Sequence, residues 1–143
     1  MQELQLFEER LNELLPKLRE VRQEALEMAG DEMLGAVRGR IGGSGRVQSW
    51  QEKYLGSGGG YTAVRAKAKT YDENGYAVGY ATNALESGHK QQPGRYVPAI
   101  QRKLIQEQVP GRFMYARSAP DVERAARSAA QQVEQKMTRI LEE

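Results

Sequence analysis

The hydrophobic positions near the start of the chain predict a long helical segment over residues 1–38. Apolar residues recur there at alternating spacings of three and four, the pattern of one helix face and of a coiled-coil seam. These residues are Leu4, Phe7, Leu11, Leu14, Leu18, Val21, Ala25 and Met28. Pro16 removes one helical hydrogen bond, so we expect a kink, or two helices that meet near Leu15-Pro16, with the second ending near Arg38. The stripe either pairs as a coiled coil or packs on the protein's own sheet.

The centre of the chain alternates polar and apolar residues with the period of a β-strand. Within Tyr61–Tyr71 one side carries Thr62, Val64, Ala66, Ala68 and Thr70, and the other carries Arg65, Lys67 and Lys69. The sequence Asp72-Glu-Asn-Gly75 that follows is a strong hairpin signal, because asparagine and glycine accept positive φ angles. We therefore predict a β-hairpin over residues 61–84, with its second strand in Tyr76–Ala84.

The last part of the chain, residues 109–141, predicts a turn followed by an amphipathic helix. Ser118 fits an N-cap, Pro120 an early first-turn position and Asp121 the third position of a capping box. Apolar residues then recur on one helix face: Val122, Ala125, Ala126, Ala129, Val133, Met137 and Ile140. Because this face is rich in alanine, we expect it to pack closely against a sheet or a neighbouring helix.

Together these patterns predict an α+β fold, with N-terminal helices, a small antiparallel sheet around a central hairpin, and a C-terminal amphipathic helix packed on the sheet. With 143 residues, of which 39% are hydrophobic, the chain is expected to form a single domain with a small core. No apolar run approaches membrane-spanning length, and the acidic N-terminal stretch differs from a signal peptide. We therefore expect no membrane contact.

Residues 42–60 are rich in glycine and contain the only tryptophan, Trp50. Neither glycine cluster is followed by Lys-Ser or Lys-Thr, and neither matches the dinucleotide-binding pattern. We interpret the region as a flexible loop or a hairpin rather than a phosphate site. An exposed Trp50 would be a candidate partner anchor, whereas a buried one would belong to the core.

The net charge of +2 conceals an uneven distribution along the chain. Residues 1–34 carry four basic and nine acidic side chains, residues 35–71 carry seven and one, and residues 89–117 carry six and one. Such alternation indicates either complementary faces in an assembly or a basic strip near nucleic acid.

Two basic segments are candidate contact surfaces. The first is the strand face of Arg65, Lys67 and Lys69, which is either a solvated face or a wall for DNA phosphates or an acidic partner. The second is residues 89–108, interpreted as an arm that meets a neighbouring subunit and is also compatible with nucleic acid. Its candidate residues are Arg95, Tyr96, Arg102 and Lys103.

Catalytic patterns are nearly absent. Glu86-Ser87-Gly88-His89 places an acid, a hydroxyl and the only imidazole together, but adjacency in sequence rarely gives triad geometry, and no Gly-x-Ser-x-Gly elbow presents a serine. The absence of cysteine excludes disulfides and thiol catalysis, and a single histidine argues against a zinc site. We expect no catalytic residues, no cofactor and no metal, and therefore no enzyme activity.

Two short motifs carry a resemblance to a known family. Val109-Pro-Gly-Arg-Phe-Met114 leads into the C-terminal helix, and Tyr80-Ala81 and Leu85-Glu-Ser-Gly88 precede it. With these motifs, residues 11–141 resemble the minor tail component family of tailed bacteriophages, whose members are tail-completion or neck (head–tail connector) proteins. The chain departs from this pattern between His89 and Gln108, where its connection is longer. The family-motif positions are Glu86, Gly88, Pro110, Gly111, Arg112, Phe113 and Met114.

The resemblance implies a structural virion protein that helps join head and tail through ring-type assembly. It implies copies of the chain itself as partners, together with other neck, connector or tail proteins and packaged DNA in the channel. The implied location is the neck or tail end of the virion, after assembly in the bacterial host cytoplasm. We expect the motif positions to define the fold first. The alternative is a small nucleic-acid-binding protein that uses the basic strand face and the 89–108 arm.

Overall fold

The fold was analysed in a computed structural model, which describes residues 2–42, 45–90, 96–97, 102–103 and 108–142. The helices are α1 (Gln2–Arg40), α2 (Arg46–Ser49), α3 (Val78–Ser87) and α4 (Ala119–Glu142). The strands are β1 (Gln51–Leu55), β2 (Thr62–Ala66), β3 (Gly88–Lys90), β4 (Tyr96–Val97), β5 (Arg102–Lys103) and β6 (Gln108–Pro110). Short 3-10 turns lie at Ser57–Gly59 and Ala116–Ser118.

The fold is α+β, as predicted: the chain is mostly helical, β1 and β2 form a small antiparallel sheet, and α4 packs on it. Contacts divide the chain into two compact units. Unit 1 contains Met1–Met33, Lys53–Ala63 and Pro120–Glu143, and unit 2 contains Leu34–Glu52 and Val64–Ala119. None of the described helices is both long and apolar enough to cross a membrane.

Unit 1 is built on the antiparallel pairing of α1 with α4. Lys136 Nζ lies 3.2 Å from a carboxylate oxygen of Glu24, and the Gln132 amide lies 3.3 Å from the sulfur of Met28. Small apolar residues lie in the contact between the two helices. Alanine side chains are short, so they allow two helices to pack closely. The buried residues of unit 1 are Val21, Ala25, Ala29, Met33 and Ala125.

The expectation of two helices meeting at Pro16 is wrong, because α1 is one helix from Gln2 to Arg40 with Pro16 inside it. A proline in a helix leaves the carbonyl four residues earlier without its helical donor. Both Pro16 and Asn12 are exposed, so water can hydrate that carbonyl. The helix therefore continues past the proline, and hydration of the free carbonyl reduces the free-energy cost of the missing hydrogen bond.

Unit 2 has its own hydrophobic core of Val37, Ile41 and Met114. Half-buried residues pack against this core: Val47, Val64, Leu85 and Tyr115. The end of α1 lies in this unit, where the Gln48 amide donates to the carbonyls of Arg38 and Ile41 at 2.9 and 2.7 Å. These side-chain bonds supply donors at a helix end, where carbonyl groups lack a partner within the helix.

The hairpin predicted over residues 61–84 is wrong in its second strand. β2 pairs with β1, and the N–H of Gly56 donates to the carbonyl of Tyr61 at 2.8 Å beside this pair. The glycine-rich stretch between the strands is therefore the connection of the real hairpin. Val78–Ser87 instead forms α3, because Val78 and Thr82, one helical turn apart, are both buried in unit 2.

The predicted turn at residues 72–75 is present, although only a single antiparallel bridge flanks it rather than two paired strands. Gly75 has a φ of +84°, and Asp72 Oδ1 accepts hydrogen bonds of 2.9 Å from the N–H groups of Asn74 and Tyr76. Beyond the turn, Tyr71 and Ala77 form an isolated antiparallel bridge. The turn chemistry was therefore predicted correctly, but the strand pairing was not.

Candidate functional site

Two distant stretches of the sequence meet in a junction, which we call the motif junction and define as Glu86–Gly88 with Pro110–Ala116. Gly88 pairs with Pro110 where β3 and β6 run antiparallel. The N–H of Arg112 donates to the carbonyl of Leu85 at 2.8 Å, and the N–H of Phe113 donates to that of Glu86 at 3.1 Å. Both motifs of the family resemblance therefore lie in one contact.

Gly111 determines how closely the two stretches approach. A Cβ atom at this position would lie 2.4 Å from the carbonyl oxygen of Glu86 and 2.7 Å from the carbonyl carbon of Ser87. Because both atoms belong to the backbone, no side-chain rotation could relieve the overlap. Residue 111 must therefore be glycine for this junction to close.

Glu86 holds the other side of the motif junction with its carboxylate. Its two oxygens accept hydrogen bonds of 2.9 Å from the backbone N–H groups of Tyr115 and Ala116, where the 3-10 turn at Ala116–Ser118 begins. Hydrogen bonds to a charged acceptor are stronger than neutral ones, and a carboxylate suits the N-terminal end of a helical turn. The Glu86 carboxylate therefore stabilises the backbone of this turn.

The remaining motif positions divide between core and surface. Met114 is buried in the unit 2 core, whereas Phe113 and Arg112 are exposed. Phe113 has a φ of +52°, a conformation that costs free energy for a residue with a side chain. The surrounding hydrogen bonds hold it there, so an exposed aromatic side chain is presented at the end of the turn.

A buried chain of hydrogen bonds lies beside the motif junction. The Tyr115 hydroxyl donates to Gln51 Oε1, and Gln51 Nε2 donates to Thr82 Oγ1 at 3.1 Å. The Thr82 hydroxyl donates in turn to the carbonyl of Val78 at 2.7 Å. Gln51 and Thr82 are almost fully buried, so this network specifies one packing arrangement in unit 2.

Burial raises the pKa of Tyr115 to about 12, and the nearby Glu86 carboxylate adds to the effect. Tyr115 therefore keeps its proton and its hydrogen bond to Gln51 throughout the neutral range. Gln51, Thr82 and Tyr115 could not be predicted as a group from the sequence. They are far apart along the chain, and no motif or periodicity links them.

The predicted basic strand face of Arg65, Lys67 and Lys69 does not exist as one face. β2 ends at Ala66, so only Arg65 lies in a strand, where its guanidinium is 3.7 Å from the Glu52 carboxylate. Lys69 has a φ of +53°, which ends strand geometry. Lys67 and Lys69 therefore lie beyond the end of β2.

Trp50 lies directly before β1 and is half-buried, which falls between the two interpretations of this residue. The guanidinium carbon of Arg46 lies 6.0 Å from the centre of its ring, within the range of a cation–π contact. A carboxylate oxygen of Glu73 lies 3.6 Å from the same guanidinium. The Trp50 indole therefore lies beside Arg46, whose guanidinium is itself paired with the Glu73 carboxylate.

Two described antiparallel strand pairs lie in or beside the predicted 89–108 arm: β4 with β5 lies within it, and β3 with β6 lies at its two ends. Tyr96 is the register partner of Lys103, and Val97 is the partner of Arg102. Arg95 lies outside the described residues, as do the side chains of Tyr96, Arg102 and Lys103. β3 begins at Gly88 and β6 ends at Pro110, and both residues belong to the motif junction, so the junction anchors both ends of the segment.

The Glu86–His89 stretch lies at the motif junction, and the side chain of His89 lies outside the described residues. Both oxygens of Glu86 are occupied by backbone N–H groups, so the Glu86–His89 stretch does not supply a free carboxylate. No group of three or more histidine, cysteine, aspartate or glutamate side chains lies close enough together among these residues to hold a metal ion.

The first half of α1 carries an apolar face, which we call the N-terminal stripe. Its exposed members are Leu4, Phe7, Leu11 and Leu15, and its half-buried members are Leu14 and Leu18. Leu4 and Phe7 are each 59% exposed, whereas Val21 and Ala25, the next positions of the same heptad pattern, are 8% and 2% exposed. The predicted seam is therefore divided: Val21 and Ala25 are core, whereas Leu4, Phe7 and Leu11 before them and Met28 after them are exposed.

No family model matches this chain, and neither a curated protein nor a solved structure matches it.

Proposed function

We propose that this chain is a structural protein of a tailed-phage virion, a neck or tail-completion component that helps join head and tail by assembling with copies of itself in a ring. The N-terminal stripe carries this proposal. Monomeric proteins rarely expose a contiguous row of large apolar side chains, and such rows mark contacts with other proteins. Leu4, Phe7, Leu11 and Leu15 form such a row over about three helical turns.

The motif junction supports the specific assignment to this class of protein. The resemblance rests on two motifs separated by a longer connection, and the residues of both motifs contact each other through Glu86 and Gly111. The two motifs that carry the resemblance therefore form one structural contact, which supports treating them as a single unit.

The charge distribution suits an assembly of identical subunits. A closed ring uses head-to-tail contacts between unlike patches of the same chain, and segments of opposite net charge provide such patches. The further partners in this proposal are other neck, connector or tail proteins and packaged DNA in the channel. The location is the virion, and the protein acts without a cofactor and without catalysis.

The alternative is a small nucleic-acid-binding protein. Charge alone supports it, because Arg65, Lys67 and Lys69 do not share a strand face. Such a protein would bind DNA with an affinity that falls steeply as salt increases.

The mass of the purified protein, measured by light scattering, together with negative-stain images of the same sample, tests the proposal. We expect closed rings of uniform size with a central hole. If charged patches hold the ring, a high-salt wash should dissociate it. A stable dimer that forms no rings and binds DNA at physiological salt would replace the proposal with the alternative.

A further inference from the structure

We infer that the N-terminal stripe is the site at which two copies of this chain pair, with their α1 helices antiparallel. This inference rests on the proposed self-assembly and adds a second kind of contact to it: head-to-tail contacts between unlike charged patches close the ring, whereas the N-terminal stripe joins two copies through a two-fold contact. It goes further by defining the residues, the partner and the orientation of that contact.

The structure limits the pairing surface to the first half of α1. The heptad pattern continues to Met28, but Val21 and Ala25 are already buried in unit 1. The region from Leu4 to Leu18 is about 21 Å long at a rise of about 1.5 Å per residue. It contains about four helical turns, enough for a short helix-to-helix contact.

The same region depends on a partner for its own stability. A helix in water gains most of its stability from packing an apolar face, and the exposed Leu4, Phe7 and Leu11 of α1 have no such packing. A second copy supplies an identical stripe. In a two-fold contact the same residues serve on both sides, so no complementary surface elsewhere is required.

Charge decides the orientation of the pair. Residues 2–13 carry four glutamates and one arginine, whereas residues 14–23 carry one lysine, two arginines and one glutamate. Parallel helices would place acidic beside acidic and basic beside basic. Antiparallel helices place the acidic end of one copy beside the basic part of the other, for example Glu3 near the second copy's Lys17.

A pair of leucines gives a matched test of the surface. Leu11 lies in the stripe and is 42% exposed, whereas Leu6 is 62% exposed and lies about 140° away around the helix. We expect Leu11→Glu to weaken self-association by on the order of 100-fold, because both copies lose a buried leucine, and Leu6→Glu to leave it unchanged. Sedimentation equilibrium measures the association, and circular dichroism confirms that both variants remain helical. Equal effects of the two substitutions would overturn the inference.

Charge reversal tests the orientation. Glu3→Lys with Glu8→Lys should weaken antiparallel pairing, and adding Lys17→Glu and Arg19→Glu to the same chain should restore it. In a parallel pair each of these residues lies beside the same residue of the second chain. Like charges then remain beside like charges in both variants, so neither the double nor the quadruple substitution would alter the association. An unchanged association in both variants would therefore contradict the antiparallel arrangement.

The absence of cysteine from the chain allows a direct geometric test. We expect an equal mixture of Glu3→Cys and Lys17→Cys chains to form a disulfide between the two variants under mild oxidation. Glu3→Cys alone should form almost no cross-linked dimer. Rapid cross-linking of Glu3→Cys with itself would indicate parallel helices and overturn the inference.

These results separate the inference from the proposed function. If Leu11→Glu still forms rings of normal size and mass, the pairing site is wrong while the ring proposal stands. If the two cysteine variants cross-link as an antiparallel pair but the wild-type chain forms no ring, the pairing site is right and the ring proposal fails.

Discussion

Glu86 accepts a hydrogen bond of 2.9 Å from the backbone N–H of Tyr115, 29 positions further along the chain. The same carboxylate accepts a second bond from Ala116. This pair of contacts closes the motif junction around the strands β3 and β6. The junction therefore links the residues that suggested a phage protein to the geometry of unit 2.

Replacing Glu86 should destabilise the protein. Glu86→Ala leaves two backbone N–H groups without their charged acceptor, and we expect the free energy of unfolding to fall by about 1–3 kcal/mol. Urea denaturation measures this change. The matched control is Glu73→Ala. The Glu73 carboxylate is exposed, and its described ion pair is with Arg46. We expect this substitution to change the free energy of unfolding by no more than about 0.5 kcal/mol.

Gly111→Ala should be among the most damaging small substitutions in unit 2. The added methyl group overlaps backbone atoms of Glu86 and Ser87, so the junction must open. We expect a loss of about 2 kcal/mol or more in the free energy of unfolding. Gly79→Ala is the control, because Gly79 lies in α3 and a methyl group added there would meet nothing within 4 Å, so the change should be neutral or stabilising.

Tyr115 should make stability depend on alkaline pH. Its pKa rises from an ordinary 10.0 to about 12 on folding, mainly through burial and secondarily through Glu86. A raised folded-state pKa means that the stabilisation is complete below pH 10 and is lost as pH rises towards 12. Urea midpoints measured across this range should fall in the wild type.

The Tyr115→Phe variant isolates this effect. It removes the donor to Gln51 Oε1 and should cost about 1–3 kcal/mol at neutral pH, while its stability should fall less between pH 10 and pH 12. Tyr71→Phe is the control, because Tyr71 is 65% exposed. If Tyr115→Phe and the wild type lose stability in parallel over this range, Tyr115 is not the responsible group.

The turn at residues 72–75 should depend on the side-chain oxygen of residue 72, and two substitutions at that position test this. Asp72 Oδ1 accepts from two backbone N–H groups, so Asp72→Ala should reduce the free energy of unfolding by about 1–2 kcal/mol. Asparagine presents an oxygen at the same place, and Asp72→Asn should therefore retain most of the stability. Equal losses in the two variants would show that the hydrogen bonds are not the cause.

Local patterns in the sequence determined much of this protein. The three-and-four spacing of apolar residues was sufficient to predict helical structure over α1 and α4, because a helix repeats every 3.6 residues and must bury one face, although it did not show that α1 continues through Pro16. Asp72–Gly75 was sufficient to predict a turn, because the turn depends on its own four residues. The α+β class followed from these elements together with the alternation around β2.

Only the tertiary structure decided how these elements pair. The alternation of Tyr76, Val78 and Tyr80 fits a strand locally, but burial of Val78 and Thr82 in unit 2 favours a helix, and β2 pairs with β1 instead. The contact of Glu86 with Tyr115 and the division of the α1 stripe likewise depend on residues that are distant in sequence. Local periodicity carries no information about which distant surface will cover a residue, and that choice is made by packing.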